Sequence, residues 1–171
     1  MPDPLGMAPA HSARMPKKRT CDGEARLTRP IATVMRRHWI SAPPRLSIYE
    51  AQLLMRLAGI RHLPVLFDRA LVGVLGHGEL LRAALEQLLL HPTSLAKDLL
   101  AAVPVADVMD REPPTATPGE SLVEVARRMV DTHLGCLPVV ERSGDALVMV
   151  GIVVESDLLR IAYAPTSVAG S

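Results

Sequence analysis

Pro30-Ile31-Ala32-Thr33-Val34-Met35, running on to Leu63-Pro64-Val65-Leu66, is written again as Pro104-Val105-Ala106-Asp107-Val108-Met109, running on to Leu137-Pro138-Val139-Val140. The two stretches align without a gap at a spacing of 74 residues, and 13 of the 37 pairs are identical. Among these are Pro30/Pro104, Met35/Met109, Pro44/Pro118, Ser47/Ser121, Glu50/Glu124 and Pro64/Pro138. After Val140 the register slips by four residues and resumes at a spacing of 78 with Gly73/Gly151, Leu80/Leu158, Leu81/Leu159 and Arg82/Arg160. One supersecondary unit is therefore present twice. Its period exceeds the roughly 20 to 50 residues of solenoids, and two copies fall short of the roughly three that a stacked array needs, so a closed pair is expected.

Composition fits such a pair. A chain of 171 residues is long enough to bury a core, and 49% of it is hydrophobic, chiefly aliphatic. The aromatics are only Trp39, Tyr49, Tyr163 and Phe67, too few for the stacking platform of a single-strand nucleic-acid binder. Residues 1–30 hold six basic and three acidic side chains, leaving 13 basic against 15 acidic in the remainder, so the duplicated body lacks a basic nucleic-acid footprint. No run of 18 apolar residues is free of charge, which argues against a membrane span. Prolines interrupt the N-terminus, which does not read as a signal peptide. Cys21 and Cys136 outline no disulfide framework, and a reducing, cytoplasmic setting is the expectation.

Residues 1–29 read as a flexible tail in which Lys17-Lys18-Arg19 is a solvated basic cluster. Residues 30–90 form the first repeat, 91–103 a linker, 104–163 the second repeat and 164–171 a C-terminal tail. Each repeat follows one β-α-β-β-α plan, giving an α+β fold. A helical turn, with Thr33 or Asp107 as its expected N-cap, leads into an extended Pro-containing segment. A helix opened by a capping box follows, Ser47 with Glu50 or Ser121 with Glu124. Two strands come next, Leu63–Phe67 with Leu71–Leu75 and Cys136–Val140 with Leu147–Val153, the second pair turning at Ser143-Gly144-Asp145. Helices His77–Leu90 and Ser156–Ala162 close the units.

The ordered set Val108-Met109-Asp110, Thr115-Ala116-Thr117-Pro118, Leu137-Pro138-Val139-Val140 and Gly151-Ile152-Val153-Val154-Glu155-Ser156-Asp157 resembles a cystathionine-β-synthase (CBS) domain. The first copy is similar through Val34-Met35, Ser41, Leu63-Pro64-Val65, Gly73-Val74-Leu75 and Leu80-Leu81. Together they look like the tandem pair called a Bateman module, over about residues 30–163. The resemblance implies two three-stranded sheets packed with pseudo-two-fold symmetry and a cleft on each side of their interface. It implies a regulatory ligand containing adenosine, such as AMP, ADP, ATP or S-adenosylmethionine, whose occupancy is passed to a regulated protein of unknown identity. A homodimer is also expected, consistent with the apolar Leu88–Leu90.

In the family a glycine-led strand is followed by a hydroxyl residue three positions on and by an aspartate three further. A carboxylate accepts from both hydroxyls of a ribose diol, and a hydroxyl beside a helix N-terminus suits phosphate. Asp157 retains the aspartate position, but Val154 replaces the hydroxyl residue and leaves Ser156 as the nearest substitute. In the first copy Gly76 and Glu79 occupy the two positions, and the extra methylene displaces the carboxylate. The Asp157 cleft is therefore the better nucleotide candidate. By family architecture Ser41, Arg61 and His62 are expected to face Asp157, and Thr115, Gly135 and Cys136 to face Glu79.

Plainer readings exist for each residue. Asp157 and Glu79 lie in first helical turns, where a carboxylate favours the helix dipole without any ligand, and Ser41 and Thr115 are ordinary residues of extended segments. Trp39 has no counterpart in the second copy and reads as a contact to a partner or to the tail, or as plain surface. The six histidines include no H-x-H or H-x-x-x-H pair, Cys136 reads as a small buried side chain, and the methionines read as packing. Neither an activated nucleophile nor a phosphate loop is present, so an enzyme is not expected. The alternative to a nucleotide sensor is an interaction scaffold with degenerate clefts.

Overall fold

The computed structural model describes residues 28–91 and 95–163; the basic cluster, Cys21, most of the N-terminal tail and the C-terminal tail lie outside them. The helices are α1 (Ile48–Ala58), α2 (His77–Leu90), α3 (Ala96–Ala102), α4 (Leu122–Thr132) and α5 (Glu155–Tyr163). The strands are β1 (His62–Phe67), β2 (Ala70–Gly76), β3 (Cys136–Ser143) and β4 (Ala146–Val154). Short 3-10 turns at Ile31–Thr33 and Val105–Asp107 open the two repeats. Thr33 and Asp107 end these turns instead of capping them. The N-cap residues are Pro30 and Pro104, both extended, with no N–H left to satisfy. Both capping boxes form as expected. Ser47 accepts from the Glu50 N–H while Glu50 reaches back to the Ser47 N–H, and Ser121 and Glu124 do the same.

β1 and β2 form an antiparallel hairpin closed by Asp68 and Arg69, both at positive φ, as a tight two-residue turn demands. β3 and β4 form the second hairpin, with Gly144 at positive φ. The two hairpins meet edge to edge at Ala70 and Val148 in a single four-stranded antiparallel sheet of order β1-β2-β4-β3, where two separate three-stranded sheets are implied by resemblance. The missing third strand of each half survives as one parallel bridge, Ala42 to Val65 and Ala116 to Val139.

Four prolines explain the truncation. The Ala42 N–H donates to the Pro64 carbonyl and the Leu66 N–H to the Ala42 carbonyl, each at 2.9 Å. A parallel ladder would continue through the N–H of residue 44 in one direction and of residue 64 in the other. Both residues are proline and have no N–H. Pro118 and Pro138 bracket Ala116 identically.

The opening segment of each repeat crosses to the other. The Ile31 N–H donates to the Glu120 carbonyl (2.9 Å) and the Ala32 N–H to that of Pro118 (3.0 Å). Their counterparts run from Val105 to Leu46 (2.7 Å) and from Ala106 to Pro44 (3.0 Å). Further along, Arg36 and Ile152 exchange both backbone hydrogen bonds, as do Asp110 and Val74. Consequently Val105 and Met109 belong to the core of the first repeat with Ile48, Leu63 and Leu75. Ile31 belongs to that of the second with Leu122, Leu137 and Val153. Each fully buried aliphatic side chain of this kind is worth about 1.5 to 3 kcal/mol, so neither half closes its own core without the other.

The crossing explains Gly73 and Gly151. A β-carbon on Gly73 would lie 2.6 Å from both the Asp110 carbonyl oxygen and Met109 Sδ, whereas one on Gly151 would meet Met35 Sδ at 2.6 Å and the Arg36 carbonyl oxygen at 3.2 Å. Backbone yields less readily than a thioether. Gly73→Ala is therefore expected to lower stability by about 1 to 3 kcal/mol and Gly151→Ala by less, measured as urea midpoints; equal effects would contradict the crossing geometry.

Candidate functional site

Because each opening segment is anchored on the opposite strand, it forms one wall of a cleft whose other wall comes from the repeat it crosses to. The two clefts are related by the same pseudo-symmetry and are unequal. One encloses about 710 Å³ and is lined by Arg36, His38–Ile40, Ile60–His62, His133, Gly135, Cys136, Ile152 and Val154–Ser156; Asp157 is not among its lining residues and meets it through the lining Arg36. The other encloses about 40 Å³ beside Glu79, Asp110, Pro113 and Pro114. Ligand pockets run from roughly 300 to 1,000 Å³, so the wide cleft has room for a small organic molecule and the narrow one for little more than water.

The narrow cleft is closed by its own sequence. Asp110 stands where the wide cleft has Arg36, and Pro113 and Pro114 where it has Trp39 and Ile40. Glu79 folds back over Gly76, its carboxylate occupying the space a β-carbon there would need.

At the opposite position the Asp157 carboxylate is held by Arg36. Nε donates to Oδ2 at 2.8 Å and Nη2 to Oδ1 at 2.7 Å, a bidentate pair across 121 residues of sequence. The Asp157 side chain is 13% exposed and that of Arg36 48%. Hydrogen bonding to Asp157 holds the Arg36 guanidinium still more firmly protonated than usual. The wide cleft also holds Arg61, the imidazoles of His38, His62 and His133, and a single carboxylate, Glu155. Helix α5 starts at its rim, where the Glu155 N–H donates to the Gly135 carbonyl at 2.9 Å and the following amides are the unpaired donors of a helix N-terminus.

His62 and Cys136, aligned in the repeats, both line both clefts and form their shared floor. The His62 ring lies between Gly76 and Gly135, where burial lowers its pKa, opposed by Glu79 and assisted by Arg61. Cys136 is buried and its thiol is pushed up to about 12 by burial alone.

Of the residues singled out in the sequence, Arg61, His62, Gly135, Cys136 and Ser156 come together in the wide cleft, and Glu79 lies in the narrow one with His62 and Cys136. Gly135 thus sits on the side of Asp157 and not, as expected, on that of Glu79. Ser41 and Thr115 line neither cleft. They precede the bridging Ala42 and Ala116, whose side chains turn into the cores, and adjacent side chains of extended backbone point to opposite faces. Trp39 is half-buried against Cys136, Met149 and Ile152 and is a wall of the wide cleft, not plain surface. Arg36 and His38 were not legible as site residues, since nothing near them in sequence points to Asp157. His133 occupies the left-handed C-cap position held by Gly59 in the first repeat. Among the described residues no cluster of His, Cys, Asp and Glu could hold a metal ion, and no helix is long and apolar enough to cross a membrane.

The CBS domain family model matches residues 31–86 and 105–164. No curated protein matches the chain. Among solved structures, protein MJ1225 of Methanocaldococcus jannaschii is 27% identical with a TM-score of 0.68. The match covers 78% of this chain and 47% of that one, so the chain spans about half its length. The CBS domain pair of protein MJ0100, in complex with 5′-methylthioadenosine and S-adenosyl-L-methionine, is 26% identical with a TM-score of 0.62, over 78% of this chain and 95% of that one. CBSX2 in complex with AMP is 26% identical with a TM-score of 0.63, again over 78% and 95%.

Two outcomes are expected from the floor of the clefts. A thiol reagent at pH 8, followed by peptide mapping, labels Cys136 only after denaturation, because the buried thiol holds its proton; rapid labelling of the native chain would show the site open. For His62, a folded pKa below the 6.5 of the free side chain means that the unfolded chain binds the proton first. Its contribution to stability is complete above about pH 6.5 and is lost as pH falls through the folded value. The melting temperature should therefore drop on acidification below that pH, with a shallower drop in His62→Gln.

Proposed function

The chain belongs to the CBS-domain family, and from that premise we propose that it is a regulatory module binding an adenosine-containing ligand in the wide cleft. The reading rests above all on that cleft: a ligand-sized space between the repeats, rich in nitrogen donors, ending at the start of α5 beside Ser156 and the Arg36–Asp157 pair. Asp157 is the ribose acceptor. Arg36 donates to both of its oxygens in a bidentate pair, and a ribose diol that needs the same two acceptors replaces the guanidinium there. Phosphate is received by Ser156, the free amides of α5 and the basic side chains. The adenine lies against Ile40, Ile60, Ile152 and Val154, with Trp39 at the edge. Val154, in place of a hydroxyl residue, adds apolar surface here in exchange for one hydrogen bond. That the related pairs hold AMP, 5′-methylthioadenosine and S-adenosylmethionine supports this ligand class. The narrow cleft, filled by Glu79, serves packing, which is the part of the scaffold reading we retain.

A ligand here touches Arg36–Ile40 of one repeat and Ile152–Ser156 of the other, so its binding energy depends on their relative orientation and shifts the population towards one arrangement. The exposed Leu85 and Leu89 on α2, with Leu53 and Leu57 on α1, are the surface through which that shift reaches a partner or a second copy.

Thermal melting with AMP, ATP and S-adenosylmethionine tests the reading. A ligand at 100 times its dissociation constant should stabilise the fold by about 2.7 kcal/mol, and Asp157→Ala should abolish most of that increment. Absence of a shift with all three ligands would leave the scaffold reading.

A further inference from the structure

The two clefts differ most in one pair of equivalent positions. At residue 36 the wide cleft has an arginine that covers the ribose-binding candidate, and at residue 110 the narrow cleft has an aspartate beside a second carboxylate, Glu79. We propose that Arg36 is the specificity-determining residue of the wide cleft: it guards Asp157 against uncharged nucleosides and turns onto the phosphate when a nucleotide binds. The cleft thereby selects phosphorylated adenosine over adenosine, 5′-methylthioadenosine and S-adenosylmethionine. This inference rests on the reading of the wide cleft as an adenosine site.

The geometry makes Arg36 a movable group on a fixed base. Its backbone is pinned by two hydrogen bonds to Ile152, 2.9 and 3.0 Å long, while its side chain is half exposed and is itself part of the cleft wall. Both bonds that hold it in place run to the carboxylate of Asp157, the third residue of α5, so the guanidinium stands within one helical turn of the amides and of Ser156, where a phosphate would sit. A ribose diol that takes the Asp157 oxygens displaces the guanidinium. When the ligand is a nucleoside, Arg36 loses a bidentate charged partner and gains none. When it carries a phosphate, the planar fork finds an equivalent bidentate acceptor a short swing away. The penalty on the uncharged ligand is set by a partly exposed ion pair, roughly threefold to fivefold in affinity. The reward on the charged one is a charge-assisted hydrogen bond, roughly tenfold or more. A sulfonium ligand sets a positive charge at the 5′ position, where AMP has its phosphate, and meets Arg36 and Arg61 there as like charges; its only acceptor for the fork is the carboxylate at the far end of its methionine chain, beside an ammonium.

Calorimetric titration of the full chain with adenosine, AMP and S-adenosylmethionine, before and after Arg36→Gln, reads both effects with opposite signs. The unsubstituted protein should prefer AMP to adenosine by at least about tenfold. Arg36→Gln should tighten adenosine about threefold and, because AMP loses the tenfold reward but is also freed of the threefold penalty, weaken AMP about threefold, bringing the two close together. Should Arg36→Gln fail to fold, as judged by its urea midpoint, Arg36→Lys gives the same reading: it keeps the charge, loses the fork and retains only part of the preference. An unchanged AMP to adenosine ratio, or equal weakening of both, overturns the role of Arg36 while leaving the adenosine site standing. No binding of any of the three ligands to either protein overturns the site and this inference together.

Discussion

The reciprocal exchange of opening segments is the constraint from which the rest of the structure follows. Ile31 fills the core of the second repeat and Val105 that of the first, and each segment then runs antiparallel to the strand of its host, Arg36 on Ile152 and Asp110 on Val74. Strand-to-strand contact between the halves is slight, one bridged pair at Ala70 and Val148. The apolar and backbone contacts of the exchanged segments therefore hold the repeats together, and those same segments are the cleft walls. Architecture and candidate site are thus one feature: a change that loosens the clasp also moves Arg36–Ile40 against Ile152–Ser156.

Duplication supplies two equivalent clefts, and a few substitutions make them opposites. Arg36 faces Asp157 where Asp110 is the counterpart of Arg36 and Glu79 that of Asp157. One pairing is an ion pair that leaves the cleft open, with a guanidinium in its wall. The other sets two carboxylates beside a space of about 40 Å³, with two prolines as its wall. Desolvating a phosphate there would be uncompensated and repulsive, whereas in the wide cleft the compensating donors are already in position. The shared floor, a half-buried His62 and a buried Cys136, belongs to both sides and gives neither a reactive group, since burial keeps the thiol protonated.

Much of this was legible in the sequence because it is local. The capping boxes at Ser47 and Ser121, the helix bounds His77–Leu90 and the turn at Gly144 all rest on contacts within a few residues, and the 74-residue repeat with its CBS resemblance fixed the plan. The reduction of the third strand to a single bridge was encoded in Pro44, Pro64, Pro118 and Pro138, but it takes the ladder register to see that these are the residues whose N–H groups were needed. Met35 and Met109 read as packing without a hint that each packs over a glycine of the opposite repeat.

By itself, then, the sequence determined the repeated α+β unit, its family and the position of a carboxylate at the start of the last helix, because periodicity, capping and spacing act along the chain. Only the tertiary structure decided that the opening segments trade places, that the clefts are unequal, that Ser41 and Thr115 stand outside them and that Arg36 closes on Asp157. These depend on contacts between residues as much as 121 positions apart, brought together by burial of apolar side chains across the pseudo-two-fold, and no pattern of neighbouring residues records which distant group a side chain will meet.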